Sequence, residues 1–174
     1  RSVGAKLALV QAVSGGNAFD EAHTVPWLRL AERFAGRYPI PMACFSSTLE
    51  YRGQFDVSDD LAAADARNLM TFLAAIGTLA ADAAPRPAFA DAPHLPLGGA
   101  AEVFAPLGGV LSWTRAPGDQ VTVGEVIAHV TDPVTRDRVP VISPVGGMLF
   151  RQELWRAVLR GQGLGHVAGT EIVR

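Results

Sequence analysis

PMACFSSTLEYRG, at residues 41–53, is a short apolar and β-branched run that ends in a carboxylate, an arginine and a glycine. An apolar run of this length, opened by prolines and closed by a turn glycine, is typical of a buried β-strand. The pattern therefore predicts a strand that delivers Glu50 at its carboxyl end. In an open α/β sheet the reactive groups gather at that end, so Glu50 is the candidate catalytic residue. On these residues alone, the alternative is a structural charge paired with Arg52.

The segments before this stretch predict a strand and a helix. Ala5–Val13 is an apolar run bounded by glycines, which predicts a buried parallel strand. The pair Gly15-Gly16 follows in a loop whose backbone can approach a ligand closely, and a plain connecting loop fits equally well. Thr24 is placed to cap a helix that has Pro26 in its first turn and ends at Gly36.

A second helix is predicted after the stretch. Ser58 is a suitable N-cap, and the following Asp59 and Asp60 suit the positive end of the helix dipole. Gly77 then closes the helix. An apolar face is expected to point inward, and it consists of Ala62, Ala66, Leu69, Met70, Leu73 and Ile76. Residues 1–80 are thus predicted to form a strand-helix-strand-helix unit, which is part of a parallel α/β sheet.

An alanine- and proline-rich segment separates this unit from the rest. Residues 81–99 lack apolar periodicity and contain four prolines, which predicts a linker or a wrapping arm. The expected organisation is an α/β domain at residues 1–80, the linker or arm at 81–99, and a β-domain at 100–174.

The β-domain contains an internal repeat. APLGGVL at residues 105–111 returns as SPVGGML at 143–149, and GEVIAHV at 124–130 returns as GQGLGHV at 161–167. Two copies of one glycine-pinned unit predict a small all-β barrel or sandwich with a local twofold. Four pairings or placements follow from this: Gly108 with Gly146, Gly124 with Gly161, one shared core for Val110, Met148, Ile127 and Leu164, and an exposed hairpin tip at Thr131–Arg138.

The repeat resembles the biotinyl/lipoyl domain fold, in which a lysine sits in the hairpin between the halves. Here that hairpin has no lysine, and the only lysine of the chain is Lys6. Biotin and lipoate are attached through an amine, which an arginine cannot supply. The swinging-arm role is therefore excluded.

Thr48-Leu-Glu-Tyr-Arg-Gly53 and the residues around it resemble the late segment of the succinylglutamate desuccinylase/aspartoacylase family. The resemblance extends to Asp56-Val57, Ala62, Asp65-Ala66, Phe72-Leu73 and Gly77 downstream, and to residues 15–22 and Pro26-Trp27 upstream. It implies a zinc-dependent amide hydrolase, related in fold to zinc carboxypeptidases, that acts on N-acyl amino acids such as succinylglutamate or acetylaspartate. It also implies that Glu50 is the general base that activates a zinc-bound water.

The zinc ligands of that family are an early His-x-x-Glu pair and a later histidine, all upstream of the matched segment. They are therefore expected to lie outside this chain, which would be a C-terminal portion of the hydrolase. The first residue, Arg1, fits a processed or truncated polypeptide. The four histidines of the chain show no zinc-binding spacing, and His129 and His166 occupy equivalent repeat positions, which favours a structural role.

Charge and composition limit the classes of partner that the chain is expected to bind. A net charge of −2 and scattered arginines do not favour nucleic acid, and no apolar run is long enough for a membrane span. The single cysteine, Cys44, lies in the predicted strand as a small apolar filler, and a cytoplasmic location is expected. The expected partners are a small N-acyl amino acid and either the missing N-terminal segment or a second copy. The alternative function is a non-catalytic β-barrel binding module with a docking arm, in which Glu50 is structural.

Overall fold

The computed structural model describes residues 3–11, 18–44, 46–80 and 91–172. These residues fall into two compact units. One unit contains the start of the chain up to Val10 and everything from Asn68 onward, and the other contains Gln11–Arg67. No helix in the described ranges is long and apolar enough to cross a membrane.

The first strand, β1, spans Ala8–Val10 and runs parallel to β2 at His94–Pro96. The strand predicted at Ala5–Val13 therefore exists in a shorter form and is parallel, but it is not buried, since Val10 is 49% exposed. The last two residues of the predicted strand lie outside the described ranges. A short 3-10 helix at Leu97–Gly99 follows β2. Where residues 91–99 were predicted to be linker or arm, the chain instead forms β2 and this 3-10 helix.

Helix α1 spans Phe19–Arg33, which is an earlier start than the sequence predicted. Ala18 is its N-cap residue, and the N–H groups of Glu21 and Ala22 bond to the Ala18 carbonyl. The prediction that Thr24 caps the helix is wrong, because the helix already runs through it. Pro26 lies inside the helix rather than in its first turn, where its missing N–H removes one helical hydrogen bond.

The end of α1 follows the sequence. Phe34 is the C-cap residue, and Gly36 beyond it has φ of +72°, a conformation in which glycine has no steric penalty.

Helix α2 spans Asp59–Ala75 and begins where it was predicted. The Ser58 hydroxyl accepts a hydrogen bond from the Leu61 N–H at 3.3 Å, and Asp59 and Asp60 lie in the first turn. Gly77 has φ of +78° just beyond the helix end. The prediction of the inward face is wrong: Leu69 and Met70 are exposed, and Ile76 is 57% exposed. Helical spacing identifies a stripe, but only neighbouring elements decide whether that stripe is covered.

Residues 41–44 and 46–53 form no strand, so the prediction of a strand ending at Glu50 is wrong. A strand needs a neighbour to pair its backbone groups, and no strand of the described ranges pairs with this segment. Two of its backbone N–H groups bond to side chains instead. The N–H of Ser46 donates to the Thr24 hydroxyl, and the N–H of Gly53 donates to the Asp56 carboxylate. Cys44 is a half-buried free thiol and not a strand residue.

The β-domain contains eight strands in two four-stranded sheets. They are β3 (Ala100–Phe104), β4 (Gly109–Trp113), β5 (Gln120–Val121), β6 (Val126–Thr131), β7 (Arg138–Ile142), β8 (Gly147–Gln152), β9 (Ala157–Val158) and β10 (Gly163–Gly169). The orders are β3-β10-β8-β5 and β7-β6-β4-β9, and every pairing within them is antiparallel. With β1, β2 and the helices, the chain is a mixed α/β fold.

The two sheets confirm the predicted repeat. The repeat relates β3 to β7, β4 to β8, β5 to β9 and β6 to β10. Exchanging the members of each pair converts the strand order β7-β6-β4-β9 into β3-β10-β8-β5. Gly124 and Gly161 have φ of +80° and +77°. Gly108 faces the backbone of residues 158–160, and Gly146 faces the backbone of residues 121–123, which are the repeat equivalents. The glycines thus hold matching sites, as expected.

One hydrophobic core is shared by both sheets. Ile127 and Leu164 are fully buried in it, as predicted. The prediction for Val110 is wrong, because this residue is 49% exposed while the next residue, Leu111, is buried. In the second half the fully buried residue is Leu149 rather than Met148, which is half-buried. Side chains alternate along a strand, so the choice of one residue for the core sends its neighbour outward.

Candidate functional site

Glu50 lies in an irregular segment between α1 and α2. It is exposed, and its carboxylate has no hydrogen bond or ion pair with any other described residue. The predicted catalytic carboxylate is therefore exposed and lies in a loop, and not at a strand end.

Arg52 binds Asp65 and not Glu50. Its Nη1 donates to Oδ2 of Asp65 at 2.9 Å, and its Nη2 donates to Oδ1 at 2.6 Å. Asp65 belongs to α2, so this ion pair links the segment that follows Glu50 to the helix. The pairing of Glu50 with Arg52 that the sequence offered as an alternative is therefore not formed, and Arg52 instead attaches the loop to α2.

The segment before Glu50 is linked to α1. The N–H of Ser46 donates to the Thr24 hydroxyl at 3.1 Å, although the two residues are 22 positions apart. Downstream, the N–H of Gly53 donates to the Asp56 carboxylate at 2.9 Å and closes a turn. The contacts of Thr24 and Asp65 were not predicted from the sequence, because no local pattern indicates contacts between residues that are 22 or 13 positions apart.

The Gly15-Gly16 loop, a second candidate for ligand contact, lies outside the described residues. Its position relative to Glu50 stays a prediction.

The four histidines are dispersed over the fold. His23 is on α1, with its ring 5.1 Å from that of Phe19, and His94 is the exposed first residue of β2. His129 is on β6 and His166 on β10. Across the described ranges, no three His, Cys, Asp or Glu residues lie close enough together to hold a metal ion.

The two repeat-related histidines have different surroundings. Nδ1 of His129 is buried without a hydrogen-bond partner among the described residues. Nδ1 of His166 lies 3.2 Å from Nη1 of Arg151, and since arginine can only donate, this nitrogen accepts. Burial lowers the pKa of His166 below its ordinary value of 6.5, Arg151 lowers it further, and the Glu102 carboxylate opposes both. The protonated form of the His166 ring is thus less favoured than that of a free imidazole.

Two carboxylates of the β-domain brace turns. Glu125 accepts the Thr122 N–H and binds Arg115 at 2.7 Å, and these contacts lower the pKa of Glu125. Asp132 accepts the N–H groups of Val134 and Thr135 in the hairpin tip, which lowers its pKa. Both acids are therefore engaged in local structure.

No protein-family model matches the chain, and no curated protein matches it. Solved structures do. The chain is similar to a succinylglutamate desuccinylase/aspartoacylase family protein from Shewanella amazonensis SB2B, with a TM-score of 0.77 and 22% identity. It is also similar to a succinylglutamate desuccinylase/aspartoacylase from Shewanella frigidimarina NCIMB 400, with a TM-score of 0.74 and 24% identity.

These likenesses cover 89% and 90% of this chain and 43% of each Shewanella protein. A succinylglutamate desuccinylase/aspartoacylase from Rhodobacter sphaeroides has a TM-score of 0.51 at 19% identity, covering 66% of this chain and 37% of that one. The chain therefore has the fold of part of these proteins. The resemblance stated from the sequence is confirmed at the level of the fold, and the chain spans less than half the length of the structures it matches.

Proposed function

We propose that this chain is the C-terminal portion of an amide hydrolase of the succinylglutamate desuccinylase/aspartoacylase family. The observation that supports this is the fold shared with the two Shewanella structures over about nine-tenths of the chain. The proposed substrates are N-acyl amino acids such as succinylglutamate or acetylaspartate. In this proposal the complete enzyme is a longer protein, of which this chain is the C-terminal portion.

Glu50 is the proposed general base. Hydrolysis of an amide needs a group that takes a proton from the attacking water and returns it to the leaving amine as the C–N bond breaks. The products are a carboxylic acid and a free amine. An exposed carboxylate without an ion-pair partner is suited to this exchange, and Glu50 is exposed and has no such partner in the part of the chain that the structure describes.

The described residues of this chain do not fit a zinc site. The four histidines lie on different elements, and no cluster of three potential ligands exists in the described ranges. In the proposal the zinc ligands are therefore supplied from outside this chain, and the contribution of this chain is the base. We accordingly expect the purified chain to retain no stoichiometric zinc. Metal analysis giving about one tightly held zinc per chain would contradict this division of roles.

A second candidate is a non-catalytic binding or interaction module. It is favoured by the distribution of the core: every buried hydrophobic residue in the described ranges lies between Ala101 and Ala168, inside the β-domain. In this case the β-domain, as a barrel of the biotinyl/lipoyl kind, binds the partner. Glu50 then has only a structural role. The reading frame around the chain discriminates the two, because a His-x-x-Glu upstream favours the enzyme and its absence favours the module.

The direct test is Glu50→Gln in the complete enzyme. Loss of a general base lowers turnover by roughly a hundred- to ten-thousandfold, while the bound metal should be unchanged because Glu50 is not a ligand. Glu32→Gln is the matched control, because Glu32 is an exposed glutamate on α1. Near-normal turnover in Glu50→Gln would show that Glu50 is structural.

A further inference from the structure

Residues 46–53, which we name the Glu50 loop, are attached to a helix at each end. At the upstream end the Ser46 N–H bonds to the Thr24 hydroxyl on α1. At the downstream end Arg52 binds Asp65 on α2. Glu50 lies between the two attachments, four residues after the first and two before the second. The loop is therefore restrained although it has no regular secondary structure.

The downstream attachment has a specific geometry. Two N–H groups of the Arg52 guanidinium face both oxygens of the Asp65 carboxylate, with distances of 2.6–2.9 Å. A bidentate pair fixes orientation as well as distance, which a single hydrogen bond does not. The side chains of Arg52 and Asp65 are 33% and 25% exposed, so the pair is partly shielded from solvent.

The backbone of Arg52 is also unusual. Its φ is +22°, a value that residues with a Cβ seldom adopt. Such a conformation persists where surrounding contacts determine it, and here those contacts are the ion pair and the turn that Gly53 makes with Asp56. The turn directs the Arg52 side chain toward α2.

This arrangement also determines what Glu50 does not contact. Arg52 is the nearest cation in sequence to Glu50, and an arginine paired with a carboxylate favours its ionised form and weakens it as a proton acceptor. Asp65 engages Arg52 instead. Among the described residues the carboxylate of Glu50 has no ion-pair partner, and it lies in a loop attached at both ends.

We propose that Asp65 and Arg52 are positioning residues, which hold the Glu50 loop in place and keep the Glu50 carboxylate free. The inference rests on the proposed role of Glu50 as the base. Neither residue touches the substrate in this scheme, and both act through Glu50.

The attachment is tested first on the chain itself by limited trypsin digestion. Trypsin cleaves after arginine, and cleavage at Arg52 requires the bidentate pair to open. We expect Asp65→Asn to accelerate cleavage after Arg52 by at least about threefold, since partly exposed pairs contribute modestly and proteolysis follows the open population. Cleavage after the exposed Arg37 is the internal control, and Asp60→Asn, an exposed carboxylate of the same helix, is the matched variant. Equal rates after Arg52 in Asp65→Asn and wild type would overturn the attachment.

The consequence for catalysis is tested in the complete enzyme. Misplacing a catalytic group by about 1 Å lowers rates by up to a hundredfold, so we expect Asp65→Asn to lower kcat by about ten- to a hundredfold with little change in KM. The acid limb of the pH profile should move to lower pH, because the released Arg52 can approach Glu50. Asp65→Glu should recover part of the rate, whereas Arg52→Lys should not, since lysine cannot form the bidentate pair.

The outcomes separate the two proposals. If Glu50→Gln abolishes turnover but Asp65→Asn and Arg52→Lys turn over normally, the positioning role is wrong and the function of Glu50 stands. If Glu50→Gln turns over normally, the proposed function fails, and the positioning of a base fails with it. A loss of kcat in Asp65→Asn with no shift of the pH profile and no recovery in Asp65→Glu would indicate general structural damage and would overturn the positioning role.

Discussion

Leu149→Ala is the substitution that tests the core of the β-domain most directly. Leu149 is on β8, fully buried in the cluster that both sheets share, and it is the repeat equivalent of Leu111 on β4. The structure selects these two leucines for the core, where the sequence had selected Val110 and Met148. The substitution therefore tests a core position that the structure shows and that the sequence pattern did not predict.

The expected cost follows from complete burial. Leucine to alanine removes three carbon atoms, and at about 0.8 kcal/mol for each buried methylene the transfer contribution is roughly 2.4 kcal/mol. The cavity left between the sheets adds to this, for a total of about 3–4 kcal/mol. In a domain of this size each kcal/mol lowers the melting temperature by about 4–8 °C. The melting temperature should therefore fall by at least about 12 °C.

Thermal unfolding of the full chain, followed by near-ultraviolet circular dichroism, measures the effect. Val110→Ala is the matched control, because it removes methyl groups from the adjacent repeat position on the exposed side of β4. We expect that control to change the free energy of unfolding by less than about 0.5 kcal/mol. If Val110→Ala costs as much as Leu149→Ala, or if Leu149→Ala costs less than about 1 kcal/mol, the assignment of the core is refuted.

Two further predictions concern the same domain. Gly147→Ala should destabilise it by about 2–4 kcal/mol, because φ is +156° and a Cβ would overlap the Ala168 carbonyl on β10. Gly161→Ala, with φ of +77° and open space around it, should cost only about 1 kcal/mol, and equal costs in thermal melts would contradict this distinction. The lowered pKa of His166 makes the folded state bind its proton less readily than the unfolded state, so this residue withdraws stability as the pH falls below about 6.5. Between pH 7 and 5, His166→Gln should therefore lose less stability than wild type in urea unfolding, and identical pH slopes would show that His166 does not contribute.

Several features of the fold could be predicted because they depend on neighbouring residues alone. The start of α2 at Ser58 is one, since an N-cap hydroxyl bonds to an N–H three residues later in the chain. The turns at Gly36, Gly77, Gly124 and Gly161 are others, because each needs a positive φ and glycine supplies it locally. The repeat was visible for the same reason, since its glycines recur wherever the backbone turns recur.

Other features depended on residues distant in sequence and could not be predicted. The segment 41–53 has the composition of a strand, but strand formation requires a partner, and its Ser46 and Arg52 bind side chains on α1 and α2 instead. The choice between Val110 and Leu111 depends on register, and a shift of one residue exchanges the two faces.

The sequence by itself determined the candidate base, the glycine framework of the β-domain and the family whose fold the chain shares, because each is written in residue types and local spacing. Only the tertiary structure decided that Glu50 lies in a loop and that Asp65, 13 residues beyond Arg52, engages its guanidinium. The physical reason is that an ion pair forms where the folded backbone brings two charges within reach, and that distance is set by the packing of α2 and not by any pattern in the segment that contains Glu50.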